Sequence, residues 1–454
     1  MPSGGKSMKT PRMRTTSRLL QRRRFVQLAG LAWLPSSTKL RSATNRTDLQ
    51  LSSRGDGPRI TAIKTYKFNV PTGAPATKDT NSGGPMSNAF KTWLFVKIET
   101  DTGVYGWGEG SIEWLSPVVE ETIHGWTPLL IGRNPLDVRA LCGDITDRLP
   151  WKGGPVIGTA IAALNMALYD IAGKVWKTPV YRILGGRRRN RIKVYHGGLN
   201  FESVEKSRRL ARDAVEAGAI GLKGNPLELR TWPMDRRELK HCAEIVRAVR
   251  EEVGPDVELM LDTHGSPSPA LSIAFAEMVA PYRPLFLEEP VKLGSIKALR
   301  EVALKSPVPI ATGEKLFSFR DFKEVIDARA CAFLQPDISH SFGITNFLEI
   351  SRLAEEAQIL MAPHNAGGPV HFAALMQVDA VIPNFLIQEV SLQWFRRFGE
   401  FVDHDFLLKD GFVQLSDRPG LGIEVKEDVI ASMPYDESMP YRQYRNADGS
   451  WKGW

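Results

Sequence analysis

From Ile192 onward the chain repeats one pattern eight times: a short apolar run, then a longer segment with helical spacing of polar and apolar residues. The runs are Ile192–Tyr195, Ile220–Leu222, Val257–Leu261, Leu285–Leu287, Val308–Ala311, Ala332–Leu334, Ile359–Met361 and Phe385–Ile387. Runs this short, alternating with helical stretches, read as parallel strands joined by helices, and eight such units predict a closed barrel of the (β/α)8 type over residues 191–390.

A second regularity lies on the first. Asp262, Glu288, Glu314, Asp337, His364 and Glu389 each stand at or just past the end of a run, at separations of 26, 26, 23, 27 and 25 residues. One strand-helix unit of a barrel occupies about 25–30 residues, so all six fall on the carboxyl-end rim, where barrel enzymes hold their active sites. A single acid after a strand is most often a helix cap. Six in phase are hard to explain that way.

Asp262, Glu288 and Glu314 come from consecutive strands, and three converging carboxylates repel one another unless a cation sits among them. All-oxygen ligation favours Mg²⁺, with Mn²⁺ as a substitute, over zinc. Of the neighbours Glu288 and Glu289, strand alternation sends only one inward, and the spacing selects Glu288. His364 and Asp337 follow adjacent strands, close enough for the carboxylate to fix the imidazole tautomer and make the other ring nitrogen a better base. His264, two residues past Asp262, is placed to act as an acid from the opposite side of the mouth. Among the remaining histidines, His124, His241, His340, His371 and His404 lack such a setting, while His196, after the first strand, could touch substrate.

Ahead of the barrel, Ile60–Val70, Thr92–Glu99 and Val104–Trp107 read as a small antiparallel sheet, with Asp101-Thr102-Gly103 as a turn. Helical patterns follow at about Pro117–Leu130, Pro135–Arg148 and Pro155–Val175, giving an α+β first domain over 59–190. Pro71–Asn88 is rich in Pro, Gly, Thr and Asn and is expected to be a mobile surface loop. Residues 391–454 lose the barrel rhythm and are expected to pack back over the first domain.

The formal charge of +8 would suggest nucleic acid if it were spread along the fold. It is not. Residues 1–58 carry 12 of the 59 basic and 2 of the 51 acidic residues, leaving 47 against 49 elsewhere, a balance of −2. That leader holds Arg22-Arg23-Arg24-Phe25-Val26 before a short apolar segment ending at Leu34, which resembles a twin-arginine export signal and implies a periplasmic protein; a cytoplasmic one with a basic tail is the alternative. Three widely spaced cysteines form neither a disulfide framework nor a thiolate metal site. No apolar run reaches the ~20 residues of a membrane span. The sequence does not decide whether the chain forms a homo-oligomer.

At the rim residues the chain resembles the enolase superfamily, in its mandelate-racemase-like branch, and more closely the galactonate dehydratases. The similar stretches are Leu261-Asp262-Thr263-His264-Gly265, Phe286-Leu287-Glu288-Glu289-Pro290, Gly313-Glu314-Lys315, Gln335-Pro336-Asp337, Ala362-Pro363-His364, Ile387-Gln388-Glu389, Pro419-Gly420-Leu421-Gly422 and Arg445-Asn446-Ala447-Asp448-Gly449. The resemblance runs from about Arg59 to the C-terminus. It implies a barrel capped by the α+β domain and the C-terminal segment, Asp262, Glu288 and Glu314 as Mg²⁺ ligands, His364 as base, and Glu389 donating a hydrogen bond to the charged intermediate. Enolase-superfamily sites pair a Lys or His base with Mg²⁺, which stabilises the charge that develops when the proton leaves.

The resemblance also places Lys223 and Asn225 beside the substrate. Racemases of this branch carry a second lysine base where Asn225 stands, and an amide cannot take a proton. One base and one acid suit elimination: an aldonate, D-galactonate first, loses its C2 proton to His364 and its 3-hydroxyl with a proton from His264, giving a 2-keto-3-deoxy sugar acid. Dehydration of another aldonate, a racemase or epimerase, and a non-catalytic sugar-acid-binding protein are the alternatives. Pro71–Asn88 is longer than the family's corresponding loop and bears on the choice of substrate.

Overall fold

The computed structural model describes residues 57–72, 90–151, 153–227, 234–292 and 294–436. The leader up to residue 56, residues 73–88 of the expected surface loop with residue 89 after it, and the Arg445–Gly449 motif lie outside the described residues.

Among the described residues three antiparallel strands open the fold: β1 (Ile60–Pro71), β2 (Phe90–Thr100) and β3 (Tyr105–Glu109). Three helices follow, α1 (Ser116–Leu130), α2 (Val138–Arg148) and α3 (Pro155–Val175). The sheet is covered on both faces, and alternation along its strands decides which residue meets which layer. Leu94, Val96 and Ile98 pack with the helices, whereas Trp93, Phe95 and Trp107 join the core shared with the barrel. Gly106 and Gly108 point at α3, where a Cβ would collide with the carbonyl oxygens of Ala167 and Ala163. Trp107 and Glu109, in the opposite phase, therefore face the barrel.

By length and composition α3 could cross a membrane, which the sequence expectation did not allow. Its apolar pattern is broken by Asn165 and Asp170, both buried and partnered: Asn165 donates to Thr345 Oγ1 at 2.9 Å, and Lys174 pairs with Asp170 at 2.9 Å. The helix is buried along most of its length inside the capping unit.

The barrel has eight described parallel strands: β4 (Arg191–Asn200), β5 (Gly221–Asn225), β6 (Glu258–Asp262), β7 (Phe286–Glu288), β8 (Ile310–Thr312), β9 (Phe333–Leu334), β10 (Leu360–Met361) and β11 (Gln388–Val390). They pair in chain order from β4 to β10; the β11–β4 ladder and a Met361–Phe385 bridge close the ring. Five of the intervening helices begin on side-chain caps, Ser203, Asp235, Ser268, Ser295 and Ser318, as expected of segments entered directly from a strand end. No long helix follows β11; the chain makes two single turns, Leu392–Phe395 and Phe398–Phe401.

The C-terminal segment serves two places. Phe401 stacks on Phe68 with centroids 6.1 Å apart, and Trp394 meets Trp93 at 5.6 Å, both against the capping sheet. Its strand Phe412–Gln414 instead pairs antiparallel with Arg191–Lys193 at the start of β4.

Candidate active site

Inside the barrel Tyr195, Met260, Phe286, Ala311, Ala362 and Ile387 form a dry layer. One strand repeat above it, the phase that puts Met260 and Phe286 inward also puts Asp262 and Glu288 inward, with Leu261 and Leu287 turned out. Glu314, two residues past β8, joins them. Ligand oxygens of Asp262, Glu288 and Glu314 lie within 4.8 Å of one another, all buried. Burial and the neighbouring Asp262 push the Glu288 carboxyl well above its ordinary range. Asp262 moves the other way: burial opposes it, but His264 and Lys223 beside it prevail, with hydrogen bonds from the His264 ring and backbone adding to the effect. Crowded, dehydrated hard oxygen donors of this kind fit a divalent cation, so this triad could hold a metal.

Lys223 reaches into the same cluster, with its Nζ 2.6 Å from Glu288, 3.1 Å from Glu389 and 3.7 Å from Asp262. Gln335 donates to the second Glu288 oxygen at 2.6 Å. Glu289 turns away with a left-handed φ of 46° and accepts from Thr312 Oγ1 and the Gly313 N–H at 2.7 and 3.1 Å. The inward choice of Glu288 thus has a partner-by-partner explanation.

His364 Nδ1 lies 2.8 Å from Asp337 Oδ2, and its Nε2 lies 3.5 Å from Glu314 Oε2. The other Asp337 oxygen accepts the backbone N–H groups of Ser339 and His340 at 2.8 and 3.2 Å. Burial disfavours the Asp337 anion, but surrounding histidines and these bonds hold it well below the usual carboxylate range, so His364 Nδ1 donates and Nε2 faces the site. Burial lowers the His364 pKa; Glu314, Asp337 and Glu389 outweigh it and push it up to about 10.

His264 takes a left-handed φ of 49°, its N–H donating to Asp262 Oδ1 at 2.9 Å and its Nε2 lying 3.0 Å from Asp262 Oδ2. Non-glycine residues in that region are uncommon and cluster at functional sites. Lys315 Nζ donates to its carbonyl at 3.0 Å. Asn225 Oδ1 accepts the Leu227 N–H at 2.8 Å, so its amide nitrogen faces His264 Nδ1 at 3.3 Å. The ring therefore accepts at Nδ1 and carries its proton on Nε2, towards Asp262. The two histidines thus touch different members of the trio, Asp262 and Glu314.

Glu389 closes the ring of residues: Oε1 meets Lys223, and Oε2 accepts the Asn365 N–H at 3.2 Å. A Cβ at Gly197 would occupy the place of its carboxylate. In this arrangement both oxygens of Glu389 have donors beside them. His196 is set apart from the cluster; its Nδ1 accepts the Leu392 N–H at 3.3 Å, and burial lowers its pKa.

The sequence reading missed Gln335, Lys315, Asn225 as the holder of His264, and His371. The last is buried with Nδ1 2.9 Å from Ser339 Oγ and Nε2 3.7 Å from Asp337. A lysine directly after Glu314 was visible; its reach to a strand-β6 loop was not.

Fold and rim together define a capped (β/α)8 barrel with a buried triad of carboxylates that could hold a metal, flanked by a carboxylate-held histidine. Residues 77–185 match the mandelate racemase/muconate lactonizing enzyme N-terminal domain, and residues 206–429 the enolase C-terminal domain-like family. The chain belongs to this family of the enolase superfamily. It is 36% identical over 371 residues to a D-galactonate dehydratase of Cronobacter sakazakii, covering 80% of this chain and 96% of the relative. A D-galactonate dehydratase of Variovorax paradoxus is 36% identical over 374 residues, with the same coverage. A solved enolase-superfamily member from Salmonella Typhimurium shares the fold, with a TM-score of 0.74 at 24% identity over 83% of this chain and 98% of that one.

Proposed function

We propose that the chain is an Mg²⁺-dependent acid-sugar dehydratase, with D-galactonate its leading substrate. The observation that carries this reading is the asymmetry of the two histidines: His364 has its Nδ1 held by Asp337 and turns Nε2 to the site, while His264 has its Nδ1 against the Asn225 amide and its Nε2 towards Asp262. A base on one side and an acid on the other is what β-elimination needs; an epimerase would need a proton acceptor where Asn225 stands. The relatives named for D-galactonate dehydration support the substrate class.

In this reading Asp262, Glu288 and Glu314 hold the cation. Mg²⁺, when bound, supplies a Lewis acid for the substrate carboxylate and offsets the carboxylate charge that otherwise keeps His364 protonated. His364 then takes the C2 proton through Nε2, and Asp337 stabilises the imidazolium. Lys223 supplies the proton donor for the substrate oxygen that gains charge, and Glu389, 3.1 Å away, holds its ammonium in place. His264 gives its Nε2 proton to the departing 3-hydroxyl, and Asn225 retains the tautomer that allows this. The product is a 2-keto-3-deoxy sugar acid.

Screening a panel of acid sugars for 2-keto acid formation tests this, with D-galactonate expected to react, EDTA to abolish the reaction and Mg²⁺ to restore it. Full activity after chelation, or a panel without any 2-keto acid, overturns the reading. For the leader we propose twin-arginine export: replacing Arg22 and Arg23 by Lys should leave the protein in the cytoplasm, and a wild-type protein found there with Met1 intact refutes it.

A further inference from the structure

Glu109 ends β3 in the capping sheet, is wholly buried, and belongs to none of the groups that face the substrate. Its side chain leaves the sheet on the barrel side and meets the loop after β10. Oε1 accepts the Gly368 N–H at 2.6 Å and the Ser111 hydroxyl at 2.7 Å; Oε2 accepts the His371 N–H at 2.9 Å. Gly368 is the N-cap of the helix Pro369–Asp379, which has no side-chain cap of its own and Pro at its first position. Glu109 therefore performs, from another part of the fold, the capping that a local Ser or Asp would normally provide, and its carboxylate sits at the end of the helix dipole that favours an anion.

The fit is tight. A Cβ on Gly368 would lie 3.0 Å from both Glu109 Oε1 and the Trp93 ring. Lys91, on β2, donates to the Ala366 carbonyl in the same loop. The Glu109 backbone carbonyl accepts from Ser339 Oγ at 3.4 Å, Ser339 Oγ meets His371 Nδ1, and the Ser339 N–H donates to Asp337 Oδ1. One capping residue is thus bonded to the loop that carries His364, through Gly368 and His371, and to the loop that carries Asp337, through Ser339.

Resting on the dehydratase reading above, we propose that Glu109 is a positioning residue that sets the His364–Asp337 pair, so that the capping sheet fixes where the base stands. Burial raises the Glu109 pKa, while its three donors favour the anion, and a neutral isostere separates the two demands. In Glu109→Gln one amide oxygen replaces a carboxylate oxygen, but the NH₂ group must face either the His371 N–H or the Gly368 N–H, so one donor loses its acceptor. A displacement of about 1 Å in a reacting group can cost about 10²-fold in rate.

The test follows three quantities in the full chain. In Glu109→Gln, kcat for dehydration and the rate of C2 hydrogen exchange in D₂O should fall together by about 10²-fold, with KM little changed. Mn²⁺ affinity, read by electron paramagnetic resonance without substrate, should stay at the wild-type value, because the triad stands on β6 to β8. The low-field proton resonance of His364 Nδ1 in ¹⁵N-labelled, substrate-free protein should move. Ser339→Ala, which breaks the second tie while keeping the carboxylate, should move the same resonance less and serves if Glu109→Gln does not fold. An unmoved resonance in whichever variant folds, or Mn²⁺ affinity falling in step with kcat, overturns the proposal. If the wild type turns over no acid sugar, the dehydratase reading fails on its own, and the resonance still decides whether Glu109 positions the pair.

Discussion

The two sides of the barrel mouth are built differently. On the β6 side, among the described residues, His264 is bonded to barrel residues: Asp262 beneath it, Asn225 from β5 and Lys315 from just past β8. On the β10 side the His364–Asp337 pair hangs in loops whose far ends are bonded to the capping sheet through Glu109 and Lys91. A barrel strand can deliver a carboxylate to its rim by periodicity alone, because alternation fixes its direction. A loop residue that must accept a proton at one ring nitrogen needs its loop immobilised, and the cap does that here.

If the sides have successive jobs, breaking them gives unequal results, and the largest effect belongs to the β10 side. His364→Asn should lose dehydration by the upper end of the roughly 10²–10⁴-fold range for a missing general base, and C2 exchange with D₂O should vanish with it. Normal exchange in that variant would remove His364 from the role.

The β6 side should fail later in the reaction. In His264→Asn the base is intact, so deuterium still enters at C2, whereas dehydration falls about 10²-fold or more for want of a proton on the leaving hydroxyl. Wild-type dehydration there would show that the acid lies elsewhere, and equal loss of exchange would make the two sides one unit.

The smallest effect concerns stability and again marks the capped side. Burial lowers the His371 pKa to about 4 from an ordinary 6.5. A base whose folded pKa lies below its unfolded one is protonated more readily in the unfolded chain, so stability is full above about pH 6.5 and is lost as pH falls towards 4. The shift corresponds to about 3 kcal/mol at the acid end. Urea unfolding from pH 7 to 4 should therefore show a shallower acid decline for His371→Gln than for wild type. Parallel curves would mean that His371 is not held neutral in the fold.

Six rim residues were legible before any coordinates because a barrel repeats: its unit length converts a separation of about 25 residues into a shared height. The choice of Glu288 over Glu289 was legible for the same reason, as a consequence of phase. Seven of the eight strands overlap their apolar runs. The eighth, Gln388–Val390, begins one residue past the run Phe385–Ile387, of which Phe385 makes only a bridge to Met361, because Glu389 and not the apolar run carries the ladder to β4. The chain after β11 was less legible, since a strand of three residues, Phe412–Gln414, has no periodicity long enough to announce its pairing with β4.

What the sequence determined by itself was the period: which residues recur at the carboxyl ends of strands, and so which carboxylates and histidines share a rim. What only the tertiary structure decided was the partner of each. Lys223 among three acids, Asn225 against His264 and Glu109 beneath Gly368 join positions 39 to 259 residues apart, in the last case across the boundary between sheet and barrel. Strand and helix periods are local and are written in neighbouring residues. A hydrogen bond between distant segments depends on how two finished layers pack, and no spacing along the chain encodes that distance.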